Sequence, residues 1–155
     1  MNLIELIKKL PYEIVEIIRR YTYLHQPYLV LNDIKNYYQT RKIASQLYYD
    51  AYKDNFDNCP NDDILWFSND ILIYMNKRQP VMFGYVAKYY DIMLRSYNIN
   101  SIPKVIKYTD YLEKHNPQKE INVYWGLLYP NERIEMLSMF YSPQQIENVS
   151  KRFNF

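Results

Sequence analysis

The chain has 155 residues, 48% of them hydrophobic and 23% charged, with a formal net charge of +2. That balance excludes a disordered polypeptide, and a chain of this length buries roughly 68–70% of its unfolded surface without a disulfide or metal staple. It also excludes the strongly basic profile of a dedicated DNA-binding domain.

Leu3, Leu6, Ile7 and Leu10 recur at i, i+3, i+4, i+7 and predict a short amphipathic helix. A second follows, with Ile14, Ile17, Ile18 and Tyr21 on one face and Glu13, Glu16, Arg19 and Arg20 on others. The third is the clearest, from Pro27 to about Lys53, where Leu31, Ile34, Tyr38, Ala44, Leu47, Tyr48, Ala51 and Tyr52 keep a helical period. It stops in DNFDNCPN, residues 54 to 61, because Asn and Asp compete for backbone hydrogen bonds and Pro60 blocks continuation. A fourth helix covers Asp62 to about Lys77, with Asp62 and Asp63 at the positive end of its dipole.

A fifth is expected from Pro80 to about Tyr97, carrying Phe83, Val86, Tyr90, Met93 and Leu94. The sixth begins at Pro103, with Val105, Ile106, Tyr108, Tyr111 and Leu112 as its apolar positions. HNPQKE reads as a loop. INVYWGLLYP admits two readings: Ile121, Val123 and Trp125 alternate like a strand, yet a lone strand would lack a partner, so a helix or packed irregular segment is expected. Two last helices cover Asn131 to Tyr141 and Pro143 to Phe153, the final one opened by an S-x-x-Q capping box of Ser142 and Gln145. Pro11, Pro27, Pro80, Pro103 and Pro143 each stand at the start of a helical pattern, and 2 glycines are too few for the tight turns of an all-β fold. The expectation is an all-α chain, a single compact multi-helix domain over 1–155 with about seven or eight helices and no internal repeat.

Little in the chain points to catalysis. Phosphate cradles need clustered glycines, and Gly84 and Gly126 stand alone. The single cysteine, Cys59, is distant in sequence from His25 and His115, so no nucleophile–base pair is evident and no internal disulfide is possible. Cys59, Asp62 and Asp63 lie close together without a metal-ligand spacing pattern, and helix capping explains the aspartates. His115 ends a helix, where it can bond free carbonyls. Glu132 and Glu135 read as a solvated helix face. No enzyme, cofactor or metal is expected, no apolar run approaches a membrane span, and Lys8 and Lys9 are followed by no secretory h-region. IKNYYQTRK (34–42) and MNKRQP (75–80) mix basic and aromatic or polar residues as single-strand binders do, but acids interrupt any long basic stripe, so nucleic acid is a minor alternative.

LPYEIVEIIRRYTYL, residues 10 to 24, resembles the first helix of an F-box, which opens Leu-Pro-x-Glu-Ile/Leu before aliphatics and a Tyr-Leu. The resemblance implies a helical adaptor that docks on a ubiquitin-ligase component through Leu10, Pro11, Ile14, Ile17, Ile18 and Tyr21. Where that family carries a Val-Cys-x-x-Trp-like stretch, IKNYYQTRKIASQLYY has neither Cys nor Trp. Residues 10 to 50, with the 19 tyrosines, 17 isoleucines, 15 asparagines and 12 lysines that A/T-rich codons favour, are also similar to small proteins of large double-stranded DNA viruses. That similarity implies a minor structural component of a virion, in contact with capsid proteins and located in the particle or the host cytoplasm. Tyrosine, which supplies contact area and a polar handle at low entropic cost, suits a surface of that kind.

Overall fold

A computed structural model of the chain describes residues 10–23, 27–55 and 59–155, with backbone alone for 18–23 and 55. The described residues form eight α-helices and no strand, so the chain is all-α: α1 Tyr12–Tyr23, α2 Tyr28–Tyr52, α3 Asp62–Met75, α4 Ala87–Met93, α5 Ile102–Glu113, α6 Pro117–Leu127, α7 Pro130–Phe140 and α8 Pro143–Arg152. Short 3-10 turns occupy Lys53–Asn55 and Val81–Phe83. The helix expected over residues 3–10 lies outside the described residues apart from Leu10. The chain falls into two compact units, Met1–Asn32 and Asp33–Phe155.

In the first unit, the Pro11 carbonyl accepts the amide N–H groups of Ile14 and Val15 and so opens α1. The Pro27 carbonyl does the same for Val30 and Leu31 at the start of α2. In both places a residue with no N–H of its own stands where a helix would leave donors unused.

The second unit is organised around α6, which packs on α3, α4 and α5, while α3 also meets α4 and α7. The strand-like alternation of residues 121–125 is therefore superficial. Ile121, Tyr124, Trp125 and Leu128 are the buried positions, spaced i, i+3, i+4, i+7, and Val123 is only half-buried. HNPQKE, expected as a loop, is the helix start. Asn116 caps it by accepting the Gln118 amide at 2.8 Å, and Pro117 takes the first helical position. Around α6 close Tyr48 of α2, Phe67 and Ile71 of α3, Ile92 and Met93 of α4, Leu112 of α5 and Met136 of α7, all buried. Each such side chain contributes about 1.5–3 kcal/mol by leaving water.

Two arginines end α6. The last carbonyls of a helix lack intrahelical partners. Arg133 Nε donates to the Trp125 carbonyl at 3.1 Å, and Arg95 donates to the Leu127 carbonyl at 2.9 Å. Arg95 also forks onto the Glu132 carboxylate, and Glu132 accepts the Tyr129 amide at 2.8 Å to open α7. The expected solvated face is thus corrected for Glu132, which clamps a helix junction; Glu135 is exposed as expected and also accepts the Tyr74 hydroxyl at 2.8 Å. Burial pushes the Glu132 carboxyl up, but the bonds from Arg95 and from the Tyr129 amide outweigh it and hold the group below the usual range.

The helix expected from Pro80 to Tyr97 is corrected to a 3-10 turn, a break and the short α4. Gly84 makes the break, with φ +89° and ψ 179°, a conformation open essentially to glycine alone. The capping box of Ser142 and Gln145 is present as expected, each side chain meeting the other residue's amide. His115 bonds the Tyr111 carbonyl at the end of α5, the terminal role expected of it.

Candidate functional site

The sequence singles out Leu10, Pro11, Ile14, Ile17, Ile18 and Tyr21 as docking residues. Leu10, Ile14 and Ile17 are 38%, 42% and 50% exposed, and Pro11 is exposed as well. The side chains of Ile18 and Tyr21 lie outside the described residues. The apolar stripe expected on the first half of the next helix is not core either. Leu31, Ile34 and Tyr38 are exposed, and burial in α2 begins only at Thr40, Ile43 and Ala44. Side chains of this type ordinarily leave water, so an N-terminal region that keeps them in it has the composition of a contact surface.

Several buried polar groups of the second unit pair with one another. The Tyr48 hydroxyl donates to Asp70 at 2.7 Å, Ser68 to Glu120 at 2.6 Å, and the Thr109 hydroxyl meets both Tyr89 and the Val105 carbonyl. Burial pushes the Asp70 carboxyl above its ordinary range, and the bond from Tyr48 offsets this only in part. Because folding raises this pKa, the native state holds the proton more tightly than the unfolded chain. Asp70 therefore costs stability progressively as pH rises from the ordinary aspartate range through its raised value. Asp70→Asn keeps an acceptor for Tyr48 and removes that cost. We expect its stability to equal or exceed the native protein's at neutral pH, with the pH slope just above the ordinary aspartate range abolished. Urea unfolding across pH checks this, and a large loss at neutral pH would show that the carboxylate charge itself is needed.

Two of the three basic residues of segment 34–42 rest on aromatic rings. The Arg41 guanidinium lies 4.8 Å from the Phe67 ring centre, and the Lys42 ammonium lies among Tyr38, Phe153 and Phe155 at 5.5, 4.8 and 5.9 Å. In segment 75–80, Lys77 and Arg78 form a left-handed turn behind α3.

A different set lines a cleft. Between the turn at 96–99, α5 and the start of α6 lies an open cleft of about 590 Å³, lined by Ile99, Lys104, Lys107, Tyr108, Tyr111 and Lys119 among others. Lys104, Lys107, Tyr108 and Tyr111 occupy positions i, i+3, i+4 and i+7 of α5 and share one stripe. The rings of Tyr108 and Tyr111 are nearly parallel, 5.9 Å apart. Lys119 reaches from α6 to donate to the Tyr111 hydroxyl, its ammonium 4.4 Å from that ring's centre. No carboxylate lines the cleft, and among the described residues none pairs with Lys104 or Lys107. Sequence periodicity places Val105, Ile106, Tyr108, Tyr111 and Leu112 on the apolar face of this helix; Tyr108 is half-buried against the core, while Ile106 and Tyr111 are exposed. The core stripe of α5 is Val105, Thr109 and Leu112, and the interleaved Lys–Tyr stripe beside it was the signal to read.

Among the described residues, no group of three or more His, Cys, Asp or Glu side chains could hold a metal ion, and Cys59 is exposed. Asp62 and Asp63 stand in the first turn of α3, as expected of dipole-facing acids. No helix among the described residues is long and apolar enough to cross a membrane. Comparison of the sequence with protein-family models, with curated proteins and with solved structures finds no match.

Proposed function

We propose that the protein is a non-enzymatic interaction component that contacts other proteins through its N-terminal unit, and that it serves as a minor structural element of a large DNA virus particle. What carries this reading is the burial pattern of Met1–Asn32: no described side chain in it is buried, although Leu10, Tyr12, Ile14, Ile17, Leu29 and Leu31 are large, apolar and exposed. Exposed apolar area of this kind marks contact sites in folded proteins. The abundance of tyrosine and the A/T-codon bias support the viral setting. A second reading, an F-box-like adaptor, is favoured by the exposure of Leu10, Ile14 and Ile17, the residues through which such a helix would dock.

Affinity capture of the tagged chain from source-cell lysate, with stoichiometry read by mass spectrometry, separates the two. Capsid proteins in fixed ratio support the virion role, and a ubiquitin-ligase component supports the adaptor. Ile14→Asp/Ile17→Asp should reduce the recovered partner about tenfold or more, the scale of losing a central apolar contact. Both residues are at least 42% exposed, so the variant's folding stability should stay within about 0.5 kcal/mol of the parent. Undiminished capture by the variant would remove the N-terminal unit from the interface.

A further inference from the structure

The Lys–Tyr cleft is lined entirely by residues of the second unit. We propose that it binds a nucleoside phosphate, with the base against Tyr108 and Ile99 and the phosphate among Lys104, Lys107 and Lys119. Its volume, about 590 Å³, lies within the range of roughly 300–1,000 Å³ typical of small-molecule sites. Its lining carries three ammonium groups and no carboxylate, so the local potential favours an anion.

The residue types suit the two halves of such a ligand. Ammonium groups act as compact point-charge donors to phosphate oxygens. Tyrosine faces and the Ile99 side chain accept a base of any identity, because every base has a π-face. The spacing along α5 interleaves the two functions, with Lys107 adjacent in sequence to Tyr108 and one turn before Tyr111. Lys119 now rests on Tyr111. A flexible four-carbon stem lets it leave that ring for an arriving anion. A long strand is a poorer fit than a free nucleotide, because the cleft is confined to the turn at 96–99, α5 and the start of α6, and several cations elsewhere are already engaged. Arg41 and Lys42 sit on rings, and Arg95, Arg133 and Arg152 on carboxylates.

Calorimetric titration of the full chain with adenosine monophosphate, adenosine, inorganic phosphate and a twelve-residue oligothymidylate tests the assignment at low salt. We expect the nucleotide to bind about tenfold or more tightly than either of its halves, since both halves of the site are then engaged. Lys104→Glu/Lys107→Glu should weaken it by about another tenfold or more with the thermal midpoint unmoved, because both lysines are exposed. Tyr108→Leu should weaken it several-fold while leaving phosphate binding intact. Three results would overturn the proposal: no heat at about 1 mM nucleotide, phosphate binding as tightly as the nucleotide, or a charge-reversed variant that binds like the parent. An oligothymidylate that binds tenfold tighter per site than the nucleotide, with a log–log salt slope near −2 as three lysine contacts on a single strand would give, would also overturn it in favour of a strand platform.

Discussion

Arg133→Ala should cost about 4 kcal/mol of folding stability, the scale of removing one partner from a buried ion pair. Arg133 is 1% exposed and lies in the first turn and a half of α7, where a positive charge opposes the helix dipole. Tertiary bonds must therefore hold it. Its guanidinium donates to Asp33 at 2.7 Å, to Asn36 at 3.1 Å and to the Trp125 carbonyl at 3.1 Å, and lies 5.3 Å from the Tyr37 ring centre. One side chain thus joins α2, the end of α6 and the start of α7. Its loss strands the Trp125 carbonyl, leaves Asn36 without its donor and opens a cavity, and those costs add to the lost charge pairing. Asp33 is 49% exposed and can regain water, which limits the total. Asp33→Asn should cost about 2 kcal/mol, more than a half-exposed carboxylate usually contributes, because it leaves a buried cation without its anion. The double variant Asp33→Asn/Arg133→Ala should be no less stable than Arg133→Ala alone, since no charge then remains to be compensated. Urea unfolding of the three variants measures this cycle. Additive losses would mean that Arg133 acts through packing and that its pairing with Asp33 is incidental.

That network was invisible in the sequence, and the reason is physical. Helical period reads apolar residues inward and charged residues outward, so Arg133, Glu132 and Glu135 were legible only as surface. Their partners, Asp33, Arg95 and Tyr74, lie 100, 37 and 61 residues away in sequence. The long and well-punctuated helices were legible for the opposite reason. α2, α3, α5 and α8 each combine a sustained apolar period with a local stop or start: the Asn/Asp run after Tyr52, the acids at Asp62 and Asp63, Pro103, and the box of Ser142 and Gln145. α6 was ambiguous because Ile121, Val123 and Trp125, two β-branched residues and an aromatic, happen to alternate, while its true period runs through Tyr124. For the candidate sites the division is similar. The exposed aliphatics of α1 could be named from a local pattern. The Lys–Tyr cleft needed the fold, because its two tyrosines are equally good as core residues and Lys119 arrives from another helix.

Asn76→Ala carries the second large effect, about 3 kcal/mol, and shows how one side chain replaces a helix that the sequence led us to expect. Asn76 is fully buried at the end of α3. Its amide nitrogen donates to the carbonyls of Gln79 at 2.8 Å and Gly84 at 3.0 Å, and its oxygen accepts the Val86 amide at 2.7 Å. All the hydrogen-bonding directions of the amide but one are thereby used within ten residues, and the chain from 77 to 86 folds around it. That chain includes two unfavourable conformations, Lys77 at φ +50° and Arg78 at φ +64°. Left-handed non-glycine residues cost of order 1 kcal/mol each, so the turn persists only while its surroundings over-determine it. Alanine at 76 leaves the Gln79 carbonyl and the Val86 amide without their partner and the Gly84 carbonyl with only the Gln79 side-chain amide at 3.3 Å, at about 1 kcal/mol or more for each stranded group, and it opens a cavity besides. Asn76→Asp should be worse than alanine at neutral pH, because the carboxylate would face the Gln79 and Gly84 carbonyls that the amide donates to. Arg78→Gly should go the other way and stabilise the protein by up to about 1 kcal/mol, since it removes strain and no side-chain bond. Hydrogen exchange at the Val86 amide, read beside the denaturation midpoint, separates local from global loss: exchange accelerated in Asn76→Ala by about a hundredfold or more corresponds to the predicted stability change. If Val86 stays protected while the midpoint falls, the turn is held by α4 packing on α3, and Asn76 is only a helix end.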